Sequence, residues 1–316
     1  MTRIAGITPL AVALLLSGHA MAAPRARPIA GQTVKAFPPL TFLESIVTTA
    51  DGSLLVSSYP DGKIYAVDTT GQSHLFAQVD GTIAGLAPEC GGSLLVNGWA
   101  GGKEPAVYRV SSDGRAALLL KLAGAQFPNG WSHLKGARFL LADSFKGVIW
   151  EIDVAKPAAR IWLAHELLTR TDEKAPIPGV NGLKIFGHNL YASNGQRQSI
   201  LRIPVGADGS PGKPEVFVKD LFIDDFAFDT KGNLYGATHM HNSVVKVSPS
   251  GEITTIGDID SGLAGATAVA FGRGQRDRQA IFVTTNGGMS LPPPGGVQPG
   301  RIIRLDVGER GAPLCF

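Results

Sequence analysis

The sequence predicts an all-β protein, and three observations carry that expectation. A unit of short apolar strands joined by tight turns recurs six times, with matching positions roughly 40–50 residues apart, the length of a four-stranded propeller blade. Forty glycines and 21 prolines punctuate the 316 residues, as a chain of many turns requires. Helical periodicity is scarce. The expected architecture is a six-bladed β-propeller closed by an N-terminal strand.

The chain opens on a targeting pattern. Arg3 gives a basic end, residues 4–16 are largely apolar but short for a membrane span, and Ala20-Met21-Ala22 is a small-x-small cleavage site. Residues 1–22 are therefore expected to be a signal peptide and 23–316 one propeller domain, exported to a periplasm or beyond. No later stretch is long and apolar enough to span a membrane. A hydrophobic content of 44% suffices for a core. The net charge of +3 is small and its basic residues are scattered, which argues against a nucleic-acid partner. Two cysteines, Cys90 and Cys315, would meet an oxidising compartment and are expected to pair.

The strand patterns follow in order. Blade one takes 42–56, folded about Asp51-Gly52, then 62–68 and 72–78. Blade two takes 84–86, 93–96, 106–110 and 116–122, and blade three takes 129–134, 138–142, 148–153 and 159–163. Blade four takes 181–185, 189–193, 199–204 and 215–218, and blade five 224–229, 233–238, 243–247 and 252–256. Blade six has only 267–271, 280–284 and 301–306. The spare strand at 32–37 is expected to complete it and remove an open sheet edge. Two segments interrupt the repeat. The connection from Trp162 through His165 to Pro178 holds a short helical turn, and a Gly/Pro-rich loop runs over 286–299. Connections of that length are often lids or binding loops.

Inner strands of a propeller start on one face and converge on its axis. At those starts stand Glu44, Asn129, Asn181 and Asp224. Carboxylate and amide oxygens without thiolate suit a hard cation. Asn-Gly is also the commonest tight-turn dipeptide. The copies at Asn97, Asn194 and Asn286 follow second strands, where turns belong, whereas Asn129 and Asn181 precede inner strands. Asp224 and Asp225 are like charges side by side, unfavourable without a cation or donors.

These residues carry a resemblance. Glu44, Asn129-Gly130, Val180-Asn181-Gly182-Leu183 and the run from Asp224 to Tyr235 resemble the gluconolactonase and regucalcin-like (senescence-marker-protein) family of six-bladed propellers. Asp224–Ala227 and Val283–Gly288 look more like a secreted branch of it. The resemblance implies one divalent metal, calcium foremost with magnesium, manganese or zinc as alternatives. It makes Glu44, Asn181 and Asp224 the ligands and Asn129 a substrate contact. The family commonly has Asp-Gly where this chain has Asp224-Asp225, so either aspartate could be the ligand. The implied activity is metal-dependent hydrolysis of lactones or related cyclic esters, with a small-molecule substrate and Asp224 or Asp225 taking the proton. The rivals are a strictosidine-synthase-like non-hydrolytic enzyme, using a glutamate in an apolar pocket, and a secreted binding or sensor protein with a structural metal.

His239 and His241 lie in the loop between the second and third strands of blade five and are candidates for substrate contact or proton transfer. His133 shares a strand face with Asn129 by period two and is expected deeper in the channel. His165 and Trp162 are candidates for a lid. No Gly-x-Ser-x-Gly elbow, His-Glu-x-x-His pair or phosphate-binding glycine loop is present.

Overall fold

A computed structural model describes residues 28–68 and 70–313. The expected signal peptide and Cys315 lie outside the described residues; Cys90 itself is disulfide-bonded. Six four-stranded antiparallel sheets form a propeller. Its inner strands are Leu43–Thr48, Gly81–Pro88, Pro128–Lys135, Val180–Phe186, Phe226–Phe228 and Ala266–Phe271. Blade six is completed by the strand Gln32–Ala36, which pairs with Arg301–Asp306 from Gln32↔Arg304 to Ala36↔Arg301. No helix of the described residues is long and apolar enough to cross a membrane.

Each sheet is covered on both faces by its neighbours, so the middle strands read as continuous apolar runs rather than alternating ones. Leu54–Ser58 is buried at every position. Leu55 and Ile64 of blade one pack with Leu86 and Val96 of blade two, and Leu95 and Val107 of blade two with Leu141 and Trp150 of blade three. Outermost strands expose one face, and with it Leu75, Leu118 and Ile161.

Buried polar side chains join blades near the axis. Ser57 Oγ donates to the Ala84 carbonyl at 2.8 Å, Asn97 Nδ2 to Pro128 at 2.7 Å, Ser193 Oγ to Asp224 at 2.9 Å and Thr267 Oγ1 to Leu43 at 2.8 Å. Asn97 is therefore a staple inside the strand Leu94–Ala100 and not a turn residue. Asn194 ends the strand Asn189–Asn194 and donates to Leu167 and Thr169, anchoring the long connection. That connection contains the expected helical turn, a 3₁₀ segment Glu166–Leu168 capped by His165. Trp162 is buried and donates to Gly209, so it is a packing residue and no lid.

The inner strands of blades one to four share one irregularity. Strand register shifts between Leu43 and Ile46, Ile83 and Leu86, Pro128 and Trp131, and Val180 and Leu183. The shift spans Glu44-Ser45, Ala84-Gly85, Asn129-Gly130 and Asn181-Gly182 in turn. Such bulges re-aim side chains. Here they sit at the residues that line the channel. The glycines are there for approach and not for turning: a Cβ on Gly130 would lie 2.3 Å from the Asn181 carbonyl oxygen, and one on Gly182 2.7 Å from that of Asp224.

Candidate functional site

Glu44, Asn129, Asn181 and Asp224 line one cavity of about 450 Å³ at a mouth of the channel. Asp224 is held on every side. Its amide donates to Ala237, its carbonyl accepts from Gly182 and from Ser193, and its carboxylate takes Asn181 Nδ2 at 2.5 Å and His239 Nδ1 at 2.8 Å. Asp225 turns the other way. It meets Lys184 Nζ at 2.6 Å and lines a second cavity, of about 340 Å³, with His133 and Lys184.

Electrostatics separates the carboxylates. Burial pushes the Glu44 carboxyl well above the usual range, and the charges of Asp224 and Asp225 push it further. Burial also raises Asp225, against the opposing pull of Lys184. Tyr59 beside the site is raised by burial and by the Glu44 charge.

His239 is fixed at both ring nitrogens. Asn286 Nδ2 lies 2.8 Å and Ser290 Oγ 3.2 Å from its Nε2. Asn286 Oδ1 already accepts from the amides of Gly288 and Met289, which settles the orientation of its amide. Nε2 is then the acceptor and Nδ1 carries the proton given to Asp224. The backbone at His239 is left-handed, with φ 39°, a strained conformation outside glycine. His241 is exposed at the rim, its ring 6.3 Å from that of Phe222.

His133 is not brought to this cavity. Its Nε2 contacts the Gly136 carbonyl at 2.8 Å, at the other cavity. The cause is the bulge between Pro128 and Trp131, which changes the parity that put His133 on the face of Asn129. Sequence reasoning missed Asn286 and Ser290. It also missed the aromatic wall of Phe42, Tyr59, Phe127, Phe145 and Phe222. From the long connection, residues 176–178 line the cavity in place of His165.

Among the described residues no three His, Cys, Asp or Glu side chains gather as a metal cluster. The candidate set has two carboxylates, with amide oxygens as the other donors. It fits a hard cation on one observation: Glu44 is crowded by negative charge, and no Lys or Arg among the described residues lines its cavity.

No family model matches the chain. A Phoma sp protein provisionally described as a hetero-Diels-Alderase is 30% identical over 150 residues, which span 44% of this chain and 42% of that relative. Regucalcin from Agrobacterium tumefaciens, described as calcium-binding, superposes with a TM-score of 0.70 at 17% identity, covering 90% of this chain and 96% of that one. A gluconolactonase from Xanthomonas campestris superposes with a TM-score of 0.64 at 17% identity, over 87% and 89%. At such identities the likeness is one of fold, and the fold is that of regucalcin and gluconolactonase-like propellers.

Proposed function

We propose that this protein is a metal-dependent hydrolase of lactones or related cyclic esters. The observation that carries the reading is the convergence of Glu44, Asn129, Asn181 and Asp224 on one cavity whose negative charge has no Lys or Arg lining it among the described residues. Glu44, Asn181 and Asp224 would hold one divalent ion, calcium foremost. When bound, such an ion polarises a carbonyl and acidifies water. Asn129 orients the substrate carbonyl by hydrogen bonding. Asp224 is the carboxylate placed to accept the proton of the attacking water, and His239 fixes its direction. Asp225 serves through Lys184 as a structural counter-ion instead. Export is part of the proposal, supported by the signal-like residues 1–22 and by the bonded Cys90.

The test is a panel of lactones and esters turned over before and after chelation. Turnover lost with chelator and restored by calcium, with the fold intact, supports the reading. Turnover indifferent to chelator, at residual metal below the protein concentration, removes the metal from it.

A second reading has its own observation. A carboxyl driven toward its neutral form in a largely apolar cavity is an acid suited to non-hydrolytic chemistry without metal, and the partial relative is provisionally described as a hetero-Diels-Alderase and not as a hydrolase. Chelator-resistant conversion of a non-ester substrate would favour it. Metal binding without turnover of any substrate would favour a binding protein.

A further inference from the structure

We propose that the cavity selects a lactone or cyclic ester with an apolar, ring-bearing body and discriminates against polyhydroxylated sugar lactones. This rests on the hydrolase reading for the reactive end of the ligand and on the cavity wall for the rest.

Phe42, Tyr59, Phe127 and Phe145 line one wall of the cavity, and Trp99 links Tyr59 to Phe127 in the same run of tilted and T-shaped ring contacts. Ring centroids are 5.7 Å apart for Phe42 and Tyr59, 6.1 Å for Tyr59 and Trp99, 4.9 Å for Trp99 and Phe127, and 4.6 Å for Phe127 and Phe145. The run of rings draws on three blades, and its cavity-lining members come from blades one and three. Phe42 and Phe127 immediately precede the inner strands of blades one and three, Tyr59 follows the second strand of blade one, and Trp99 lies in that of blade two. Backbone bonds fix the arc: Tyr59 N donates to Phe42 at 2.9 Å, and Ser144 N, beside Phe145, to Phe127 at 2.8 Å. The Arg170 guanidinium caps its end, 4.3 Å from the Phe145 ring centroid. Across the cavity stand Phe222, Ile177 and Met240.

Polar groups are segregated. Glu44, Asn129, Asn181 and Asp224 lie together at the inner-strand starts, with His239 and Ser290 at one edge. A ligand carbonyl directed at the four has its body against rings. Beyond the Tyr59 and Ser290 hydroxyls the wall offers few partners, so most hydroxyls on that body would lose water without replacement, whereas fused or aromatic rings gain apolar burial and offset stacking. A cavity of about 450 Å³ has the size of a typical small-molecule site. The rings brace one another, so little ordering remains to be done on binding.

The experiment compares 3,4-dihydrocoumarin with D-glucono-1,5-lactone as substrates, and measures binding of chroman, which lacks the carbonyl, by calorimetry. The wild type is expected to favour the aromatic lactone by about 100-fold or more in kcat/KM, from burial of its ring. Phe127→Ala is expected to cut that value about tenfold, mainly through KM, to weaken chroman in parallel, and so to narrow the preference over gluconolactone. Phe145→Leu serves as the second variant should Phe127→Ala not fold. Preference for gluconolactone overturns the substrate class while leaving hydrolysis in place. Chroman binding weakened in the variant, with neither lactone hydrolysed, upholds the apolar ligand and overturns the hydrolase. Chroman that fails to bind, with no preference between lactones, overturns the proposal.

Discussion

Lys184→Met is expected to destabilise the fold more than Asp225→Asn does, although the two residues form one ion pair. Their charged atoms are 2.6 Å apart, and the side chains are 27% and 21% exposed. Removing one partner of a fully buried pair costs roughly 3–5 kcal/mol, while exposed pairs contribute roughly 0–1 kcal/mol. A pair of intermediate exposure falls between, at about 2 kcal/mol for Lys184→Met. The two losses are unequal because the surroundings are negative. Without Lys184, the Asp225 carboxylate faces Asp224 and Glu44 uncompensated. Without the Asp225 charge, that repulsion is relieved, and Lys184 keeps the Phe226 ring 5.5 Å away. Asp225→Asn should therefore cost about 0.5 kcal/mol or less. Urea unfolding at pH 7 in chelator measures both, and the double variant should recover part of the Lys184→Met loss. In melting temperature, Lys184→Met corresponds to a drop of roughly 3 °C for a domain of this size. Equal losses, or a larger one for Asp225→Asn, would refute the idea that this end of the channel is overcharged.

Three further outcomes are expected. Asp224→Asn should lower turnover by about 100-fold or more and weaken calcium binding in titration calorimetry, with stability changed by less than about 1 kcal/mol; unchanged binding and turnover would sink the role given to Asp224. Gly130→Ala should destabilise by roughly 1–3 kcal/mol in urea, because its Cβ meets the Asn181 carbonyl oxygen at 2.3 Å; a neutral result would show that neighbouring inner strands can part. Burial raises Glu89, but bidentate hydrogen bonds from Arg109 at 2.7 and 2.8 Å and one from Ser93 outweigh it and leave the carboxyl below its usual 4.5. That contribution is present above pH 4.5 and is lost as pH falls through the depressed value, so Arg109→Met should flatten acid destabilisation between about pH 5 and 3 by roughly 1 kcal/mol or less. Identical acid profiles for the two proteins would count against it.

The blades and their closure were legible because strand alternation and turn glycines are local signals. So was the ring of Glu44, Asn129, Asn181 and Asp224, since equivalent repeat positions share a place on the axis. The fate of His133 was not, because a bulge is a backbone event that leaves residue types unchanged and inverts the face of everything after it. Asp225 was ambiguous for want of its partner: Lys184 belongs to the preceding blade. Asn129-Gly130 and Asn181-Gly182 look like turns until the neighbouring carbonyl is seen pressing on the glycine. Asn286 reads as a turn residue, and its Oδ1 does cap a turn; that its nitrogen also holds His239 depends on a contact between blades. The aromatic arc is drawn from residues between 42 and 145, with no period to announce it.

Joining Gln32–Ala36 to Arg301–Asp306 also sets an order of events. Among the described residues the first strand pairs with the last, so it finds its partner only once Arg301–Asp306 has been synthesised. Until then blade six cannot form and the ring cannot close, whatever the earlier blades have done. Contacts of such sequence separation make folding slow and leave unpaired edges exposed while the chain waits. Under the proposed export that delay would be useful, because the sealed disc would not form ahead of transport. The cost is dependence on whatever shields the waiting edges, and impaired pairing of this one strand should appear first as poor yield rather than as altered chemistry.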